Sequence, residues 1–486
     1  MHPSLCHACN NLRKVTTDTP PNGKAHYHGL VKKIAIIGGG ISGLTAAYRL
    51  HRLGVPCTLF EAGPRLGGIV ETHREDGFVI ECGPDSWVAE KPWARELAVE
   101  LGLGDEILSS NDHNRLTYVL QNGTLVPMPE HMRMMVPQGQ PGMDALLASP
   151  LFTDEAKRAY LNEPSRAAEL KSYAAAHTHD DESVASFVAR HFGQEVADKL
   201  AAPLLSGVFG GSIHKLSVNA VMAPFVALEQ EFGSLITGLA SRQRKGVSLF
   251  ASLRSGLGSI VERMAATLPE KSIKLREKVL EMEQKGPLWS IKTAHSEELF
   301  DALLLATPPR QAASLLAPVL PESRHLLPQH ASSAIIIALA FRDPFPLPHG
   351  FGFLVPEGSS ESRLLAATFV DQKFPSRAPA NGRVLRAFFA DQDMMDLPDS
   401  VLVRLGLNEL SSILGQPLPE PAISLVRRWP DSLPQYEVGH RERIATLEAK
   451  VATLGVLRLL GNGYHGVGLP DLVRQADEAA QWAASV

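Results

Sequence analysis

The chain has 486 residues, 44% of them apolar and 20% charged, and a formal net charge of −5. That length exceeds what one hydrophobic core sustains and predicts two or three domains of ordinary globular composition. The acidic balance gives no field for a polyanion, so nucleic acid is excluded as the expected partner.

Residues 1–31 are polar, carry prolines and lack the hydrophobic core of a signal peptide; they read as a disordered extension of a cytoplasmic protein. Cys6-His7-Ala8-Cys9 lies in this tail. A C-x-x-C can bind zinc or do redox work, but no second pair completes a tetrahedron. Cys57 and Cys82 read as buried thiols in strands. No uncharged apolar run is long enough to cross a bilayer, and the most hydrophobic, 331–341, reads as a buried strand.

Residues 33–37 form a β-branched run that reads as a buried parallel strand and stops at three glycines. In Gly38-Gly39-Gly40-Ile41-Ser42-Gly43 the spacing is G-x-G-x-x-G. Gly38 permits the tight turn, Gly40 lets backbone approach a pyrophosphate, and Gly43 lets the helix pack closely on the strand. The helix predicted over 42–53 presents free N–H groups and its positive dipole end to an anion. A second strand over 56–60 ends in Glu61, roughly twenty residues past the turn, where a carboxylate can hold ribose hydroxyls. A ligand-free turn is the plainer alternative; strand, helix, strand and acid in this order favour a bound adenine dinucleotide.

Strands over 69–73 and 78–81 lead to the rigid bend Gly83-Pro84-Asp85-Ser86. A helix over 92–101 and a hairpin turning at Asn122-Gly123 follow. From 129 to 232 the pattern is helical, with Asp180-Asp181-Glu182 ahead of a helix start at Ser183. This block reads as an ordinary helical core, or as an apolar surface for substrate or membrane. His177 and His179 lack partners at metal-ligand spacing and read as solvated loop, and no metal site is expected.

After the loop Ser255-Gly256-Leu257-Gly258 comes a helix carrying Ile260, Val261 and Met264 on one face. Strands over 274–282, 288–293 and 303–309, the last ended by prolines, are expected to complete the nucleotide-binding sheet. Strand patterns at 334–340, 351–355, 364–369 and 384–389 make a second sheet. The C-terminus then returns to the first domain through a strand over 456–460, a second glycine turn over 461–468 and a helix opening at Leu469-Pro470-Asp471. A helix N-terminus there can stabilise negative charge on a cofactor.

Arg65-Leu66-Gly67-Gly68, following Glu61, resembles the extended motif of amine-oxidase-type flavoproteins and points to FAD as the dinucleotide. Further segments, in order, resemble the flavin-dependent porphyrinogen oxidases of haem biosynthesis, protoporphyrinogen oxidase and coproporphyrinogen III oxidase. They include Gly83-Pro84-Asp85-Ser86, Pro203-Leu204-Leu205-Ser206-Gly207-Val208-Phe209, Gly352-Phe353-Leu354-Val355-Pro356, Arg428-Trp429, Leu433-Pro434-Gln435-Tyr436-Glu437-Val438-Gly439-His440 and Gly466-Val467-Gly468-Leu469-Pro470-Asp471. The resemblance implies an α/β, p-hydroxybenzoate-hydroxylase-like architecture: a Rossmann-type FAD-binding domain, a mixed-sheet substrate domain and an inserted helical domain. The FAD domain is expected at 32–112, 233–330 and 431–486, the substrate domain at 113–128 and 331–430, and the helical domain at 129–232. By motif match the FAD positions are Gly38, Gly39, Gly40, Ile41, Ser42, Gly43, Glu61, Ala62, Arg65, Gly67, Gly68, Ile69, Gly83, Pro84, Asp85, Ser86, Val279, Trp429, Val467, Gly468 and Leu469. Among these Val279 is implied as the backbone contact to adenine and Trp429 as a flavin-side residue, while Ile69 stands where relatives often carry a larger or basic residue.

The resemblance also implies a reaction: six-electron oxidation of coproporphyrinogen III or protoporphyrinogen IX, by hydride transfer from a bridging carbon to flavin N5, loss of a pyrrole proton and reoxidation by oxygen, three times over. Aromatisation drives it, so no catalytic base is assigned. The protein supplies an apolar slot and cations for propionates. Trp87-Val88 after the bend, and the Gly-Pro-Asp-Ser form itself, tilt the reading towards coproporphyrinogen. His465 reads as a loop spacer, with proton relay or covalent flavin attachment as alternatives. Peripheral contact with the inner membrane and with another haem-pathway enzyme are further expectations. A flavin amine oxidase is the alternative; it calls for aromatic residues flanking the flavin, for which Tyr464 and Trp429 are candidates. A non-catalytic flavoprotein would show losses in the glycine turns, and both turns are intact.

Overall fold

The β-branched run after Lys33 forms the strand Ile34–Ile37 at the centre of a five-stranded parallel sheet. Across the sheet the order is Ile273–Leu275, Cys57–Glu61, Ile34–Ile37, Ala302–Leu305 and Leu457–Leu459. This computed structural model describes residues 32–242, 248–357 and 362–486; the expected N-terminal extension, with Cys6 and Cys9, lies outside them. All four residues of the central strand are buried, because both faces are covered. Ile34 and Ile36 pack with the helices Ile41–Arg52, Gly258–Thr267 and Leu469–Ser485, whereas Ala35 and Ile37 face Trp289, Phe300 and Leu316. The alternation follows the two-residue period of a strand.

The run over 274–282 is not one strand. The chain pairs with Cys57–Glu61 only as far as Leu275 and then turns at Arg276, whose φ is +58°. Glu281–Lys285 instead joins Leu288–Lys292 and Glu297–Phe300 in a separate antiparallel sheet, so 288–293 does not belong to the nucleotide-binding sheet. Its inward side chains Met282, Trp289, Ile291 and Phe300 cover one face of the parallel sheet. Cys82 is buried as expected, but Cys57 is only half-buried, and both thiols are free.

The second sheet has seven strands, ordered Ile423–Pro434, Ala331–Phe341, Arg383–Phe389, Ala366–Phe369, Gly352–Leu354, Thr117–Gln121 and Thr124–Pro127. It is mixed: Gly352–Leu354 runs parallel to Thr117–Gln121, while the other neighbours are antiparallel. Ile423–Pro434 lies outside the strand patterns expected for this sheet; it is an edge strand, where Pro430 is tolerated. The helix Asp399–Leu414 backs this sheet, burying Leu402, Gly406 and Leu410 at four-residue spacing. Helices from Gly139–Ala148 to Leu235–Ser241 surround a third core built on Phe187, Phe192, Leu200 and Leu216. Ser183 caps Val184–Phe192, its hydroxyl accepting from the Ser186 N–H at 3.1 Å.

Candidate functional site

Both glycine turns follow the C-terminal ends of strands in the parallel sheet and so open on the same side of it. One follows Ile34–Ile37 and the other Leu457–Leu459, with Ala302–Leu305 hydrogen-bonded between them. The connection after that middle strand fills the gap: a side-chain carbon on Gly38 would meet the Ala306 carbonyl oxygen at 2.6 Å, and one on Gly463 would meet Pro309 at 2.5 Å. The helices that follow the two turns, Ile41–Arg52 and Leu469–Ser485, share one core. The ends of a polypeptide separated by more than 400 residues are thereby brought to one strand-end crevice, the place where open α/β sheets hold ligands.

The N-terminal turn is held from two sides. Glu61 accepts the Gly39 N–H on one carboxylate oxygen at 2.7 Å and the Gly63 N–H on the other at 2.6 Å. Gly67 donates to the Gly39 carbonyl at 2.8 Å, which lays Gly67 and Gly68 against Gly40. Ala62 is exposed beside Glu61, while Ile41 and Ser42 are buried in the first helical turn. Val279 is also brought in: the N–H groups of Arg276 and Glu277, just before it, bond the Gly63 and Glu61 carbonyls, and Val279 itself is buried. Arg65 reaches this loop by folding onto it. Its guanidinium donates to the Gly68, Leu66 and Val70 carbonyls, pairs with Glu71 at 2.9 Å and lies over the Trp429 ring.

The Gly83-Pro84-Asp85-Ser86 bend abuts the same loop, with Gly83 so close that a side-chain carbon there would stand 1.8 Å from the Ile69 carbonyl oxygen. The Trp429 indole N–H donates to the Cys82 carbonyl at 2.7 Å and ties the second sheet to the bend. Beneath it lies a buried charge cluster that sequence reading did not find. Asp85 pairs with Lys373 at 3.0 Å and Arg386 at 3.6 Å, and Lys373 also donates to the Ser86 hydroxyl. Burial opposes ionisation of Asp85, but Lys373 and then Arg386 hold its carboxyl far below the usual range. Arg386 donates to the Gly83 carbonyl, and Arg377 pairs with Glu81 at 3.0 Å while donating to Ser252. The one sequence signal was an arginine inside the apolar run 384–389.

The C-terminal turn is fastened by the Leu433-Pro434-Gln435-Tyr436 segment. The Tyr436 hydroxyl donates to the Asn462 carbonyl at 2.7 Å and accepts the Gly466 N–H at 3.0 Å. His440 stacks on the Tyr436 ring at 3.8 Å and donates to the Tyr464 carbonyl. Burial pushes the His440 imidazole down to about 4. Val467 and Gly468 are half-buried and Leu469 is buried at the helix start, where Lys91, five residues past Ser86, pairs with Asp471. His465 points outward to Glu448 at 2.7 Å, which removes it as a relay or attachment point. Tyr464 is buried in the core containing Ala35 and Ile37 and so does not flank a cofactor as an amine oxidase would need.

Residues 41–482 match the protein family described as flavin containing amine oxidoreductase. The chain belongs to this family. Within the flavin-containing amine oxidoreductases it is 33% identical to coproporphyrinogen III oxidase of Bacillus subtilis (strain 168), covering 92% of this chain and 97% of that one. It is 26% identical to the mitochondrial protoporphyrinogen oxidase of Nicotiana tabacum, with 96% and 97% covered. A crystal structure of a provisionally named protoporphyrinogen oxidase from Exiguobacterium sp. 255-15 superposes with a TM-score of 0.80 at 35% identity, over 93% of this chain and 98% of that one. Cyclohexylamine oxidase from Brevibacterium oxydans IH-35A shares the fold, with a TM-score of 0.67 at 18% identity over 94% and 99%.

The cofactor of this flavin-containing oxidoreductase is FAD, and three features of the crevice fit it. Gly40 has no atom within 4 Å of where a side chain would start, so the space before the turn is open. The helix behind it has no side-chain cap, leaving first-turn N–H groups for an anion. The Thr307 hydroxyl, next to Ala306, is buried without a partner. A separate cleft of about 590 Å³, lined by Tyr173, His177, Asp181 and Glu442 among others, includes no residue of either glycine turn.

Proposed function

We propose that this protein is an FAD-dependent porphyrinogen oxidase, taking six electrons from coproporphyrinogen III, or from protoporphyrinogen IX, with oxygen as acceptor. The observation that carries this reading is the near full-length match to coproporphyrinogen III oxidases, at 33% identity over 92% of the chain, combined with two intact glycine turns at one crevice. Bound FAD supplies a two-electron acceptor, so three turnovers complete the macrocycle and reduce three oxygens to hydrogen peroxide.

The chain's own work is to bind and orient. The turn of Gly38, Gly39, Gly40, Ile41, Ser42 and Gly43 cradles the pyrophosphate, with Gly40 facing it and Gly38 and Gly43 shaping the turn, while Glu61 and Ala62 hold the ribose and Val279 the adenine end. Arg65, Gly67, Gly68, Ile69, Gly83, Pro84, Asp85, Ser86, Trp429, Val467, Gly468 and Leu469 surround the flavin end. The uncapped N-terminus of Leu469–Ser485 supplies a partial positive charge there. The division into an FAD domain, a substrate domain over 113–128 and 331–430, and a helical domain over 129–232 belongs to the same proposal. Among the described residues no helix is long and apolar enough to cross a membrane. Peripheral contact with a bilayer or with a neighbouring haem-pathway enzyme belongs to the same proposal.

The purified protein is expected to be yellow. Anaerobic coproporphyrinogen III should bleach the flavin and, once air is admitted, give the absorption and fluorescence of the porphyrin. Protoporphyrinogen IX run in parallel ranks the two substrates. A flavin that stays oxidised with both porphyrinogens yet is reduced by an amine would move the protein to the amine oxidases.

A further inference from the structure

The buried cluster beneath the Gly83-Pro84-Asp85-Ser86 bend is unbalanced. Three cations, Lys373, Arg377 and Arg386, face two carboxylates, Glu81 and Asp85. Arg377 and Arg386 are 0% and 2% exposed and Lys373 is 8% exposed, so solvent screens little of the excess. The nearest further acid along the chain, Asp371, is matched by Arg383 at 2.9 Å. Nor are the guanidinium donors all used: Nε and Nη1 of Arg377 and Nε of Arg386 have no acceptor. An uncompensated buried cation is costly, and a protein that keeps one gains where negative charge arrives nearby. A second network on the same loop leans the same way, with Arg65 and Arg427 sharing the single carboxylate of Glu71.

The cluster is wired to the cofactor crevice through backbone. Arg386 donates to the Gly83 carbonyl, and Gly83 lies against the Ile69 carbonyl of the loop that crosses Gly40. Lys373 is held over the Phe250 ring at 4.5 Å and on both Asp85 oxygens, which fixes its charge in place. We infer that Lys373 and Arg386 are positioning residues for the flavin whose excess positive charge favours its reduced, anionic form and so raises its reduction potential. This rests on the placement of FAD in the crevice given above.

The test is the reduction potential of FAD bound to the full-length protein, measured against a redox dye in wild type and four variants. Lys373→Met removes a positive charge, and at fixed dye poise its reduced-to-oxidised flavin ratio is expected to fall about tenfold, which for a two-electron couple is about 30 mV. Asp85→Asn removes a negative charge, and its ratio is expected to rise by about the same factor. The double variant Lys373→Met/Asp85→Asn should return to within about twofold of wild type, and Lys373→Arg should match wild type. A purely structural role shifts the single variants the same way and makes the double worse; that result overturns the inference, as does a Lys373→Met ratio within twofold of wild type. Loss of FAD from both Lys373→Met and Lys373→Arg likewise assigns Lys373 to folding alone and overturns it. Wild-type protein that binds no FAD overturns the cofactor placement itself, and this inference with it.

Discussion

Gly43 packs on Gly38 so tightly that a side-chain carbon at position 43 would stand 1.9 Å from the Gly38 carbonyl oxygen, while one at Gly40 would meet no protein atom within 4 Å. Three glycines of one motif therefore answer to different constraints. Gly38, at φ +108°, and Gly43 serve the fold, and Gly40 faces the ligand. Gly43→Ala is expected to cost more than about 3 kcal/mol, because backbone rather than a flexible side chain must move. Gly40→Val should unfold at the temperature of the wild-type apoprotein yet retain no FAD. Thermal melts with and without FAD separate the two, and full flavin occupancy in Gly40→Val would refute the pyrophosphate placement.

Arg65 spends its donors on the loop that crosses Gly40, bonding three carbonyls as well as Glu71. A lysine keeps the charge but cannot span these acceptors with a planar fork. Arg65→Lys is expected to weaken FAD binding about tenfold, equivalent to about 1.4 kcal/mol. Fluorescence titration of the apoprotein measures this, and an unchanged affinity would mean the loop keeps its shape without the guanidinium.

Tyr436→Phe deletes one hydroxyl that serves both Asn462 and Gly466. The ring and its stack on His440 survive, so the loss isolates the hydrogen bonds, about 1–2 kcal/mol. Denaturant unfolding of the variant should show that loss, and FAD should dissociate faster because the second glycine turn loosens. Unfolding and FAD release indistinguishable from wild type would show that the turn is held by other contacts.

Two buried histidines impose opposite pH dependences. Burial holds His440 neutral, with its folded value pushed down to about 4 from an unfolded value near 6.5. The unfolded chain therefore takes up the proton first, and this contribution is full above pH 6.5 and lost as pH falls from there to about 4. The shift corresponds to at most about 3 kcal/mol. Burial alone would also push His191 down, but hydrogen bonds to Glu163 at 2.9 Å and Glu229 at 3.1 Å outweigh it and hold the imidazolium above its ordinary range. Its contribution is full below the unfolded value and is lost as pH rises through the folded one. His440→Gln should flatten the acid limb of stability against pH, and His191→Gln the alkaline limb. Urea unfolding across pH 4 to 9 reads both; a His440→Gln profile with the wild-type acid slope would show that carboxylates alone set that limb.

Local order was legible wherever a short-range rule governed it. The strand run, the glycine spacing and Glu61 lie within thirty residues of one another, and the structure assembles them as one turn. The Asn122-Gly123 hairpin and the Ser183 cap were equally legible, since each is fixed by residues a few positions apart. The reading failed where partners are distant. Apolar periodicity could not say that the chain leaves the parallel sheet at Arg276, because the sheet covering Ala35 and Ile37 is chosen by packing. Nor could it place Ile423–Pro434, whose proline and charges are tolerated only because the strand lies at an edge.

The sequence by itself determined the dinucleotide turn and the strand–turn–helix at the C-terminus, because glycine spacing and strand–helix order are written in neighbouring residues, and its motif segments carried the resemblance that pointed to the family. Tertiary structure alone decided which charged groups surround that turn. Asp85 and Lys373 are 288 positions apart, and nothing in their local surroundings marks them as partners. Folding two sheets against one bend buries them together, and a charge gains its influence from the low-dielectric place in which the whole chain confines it.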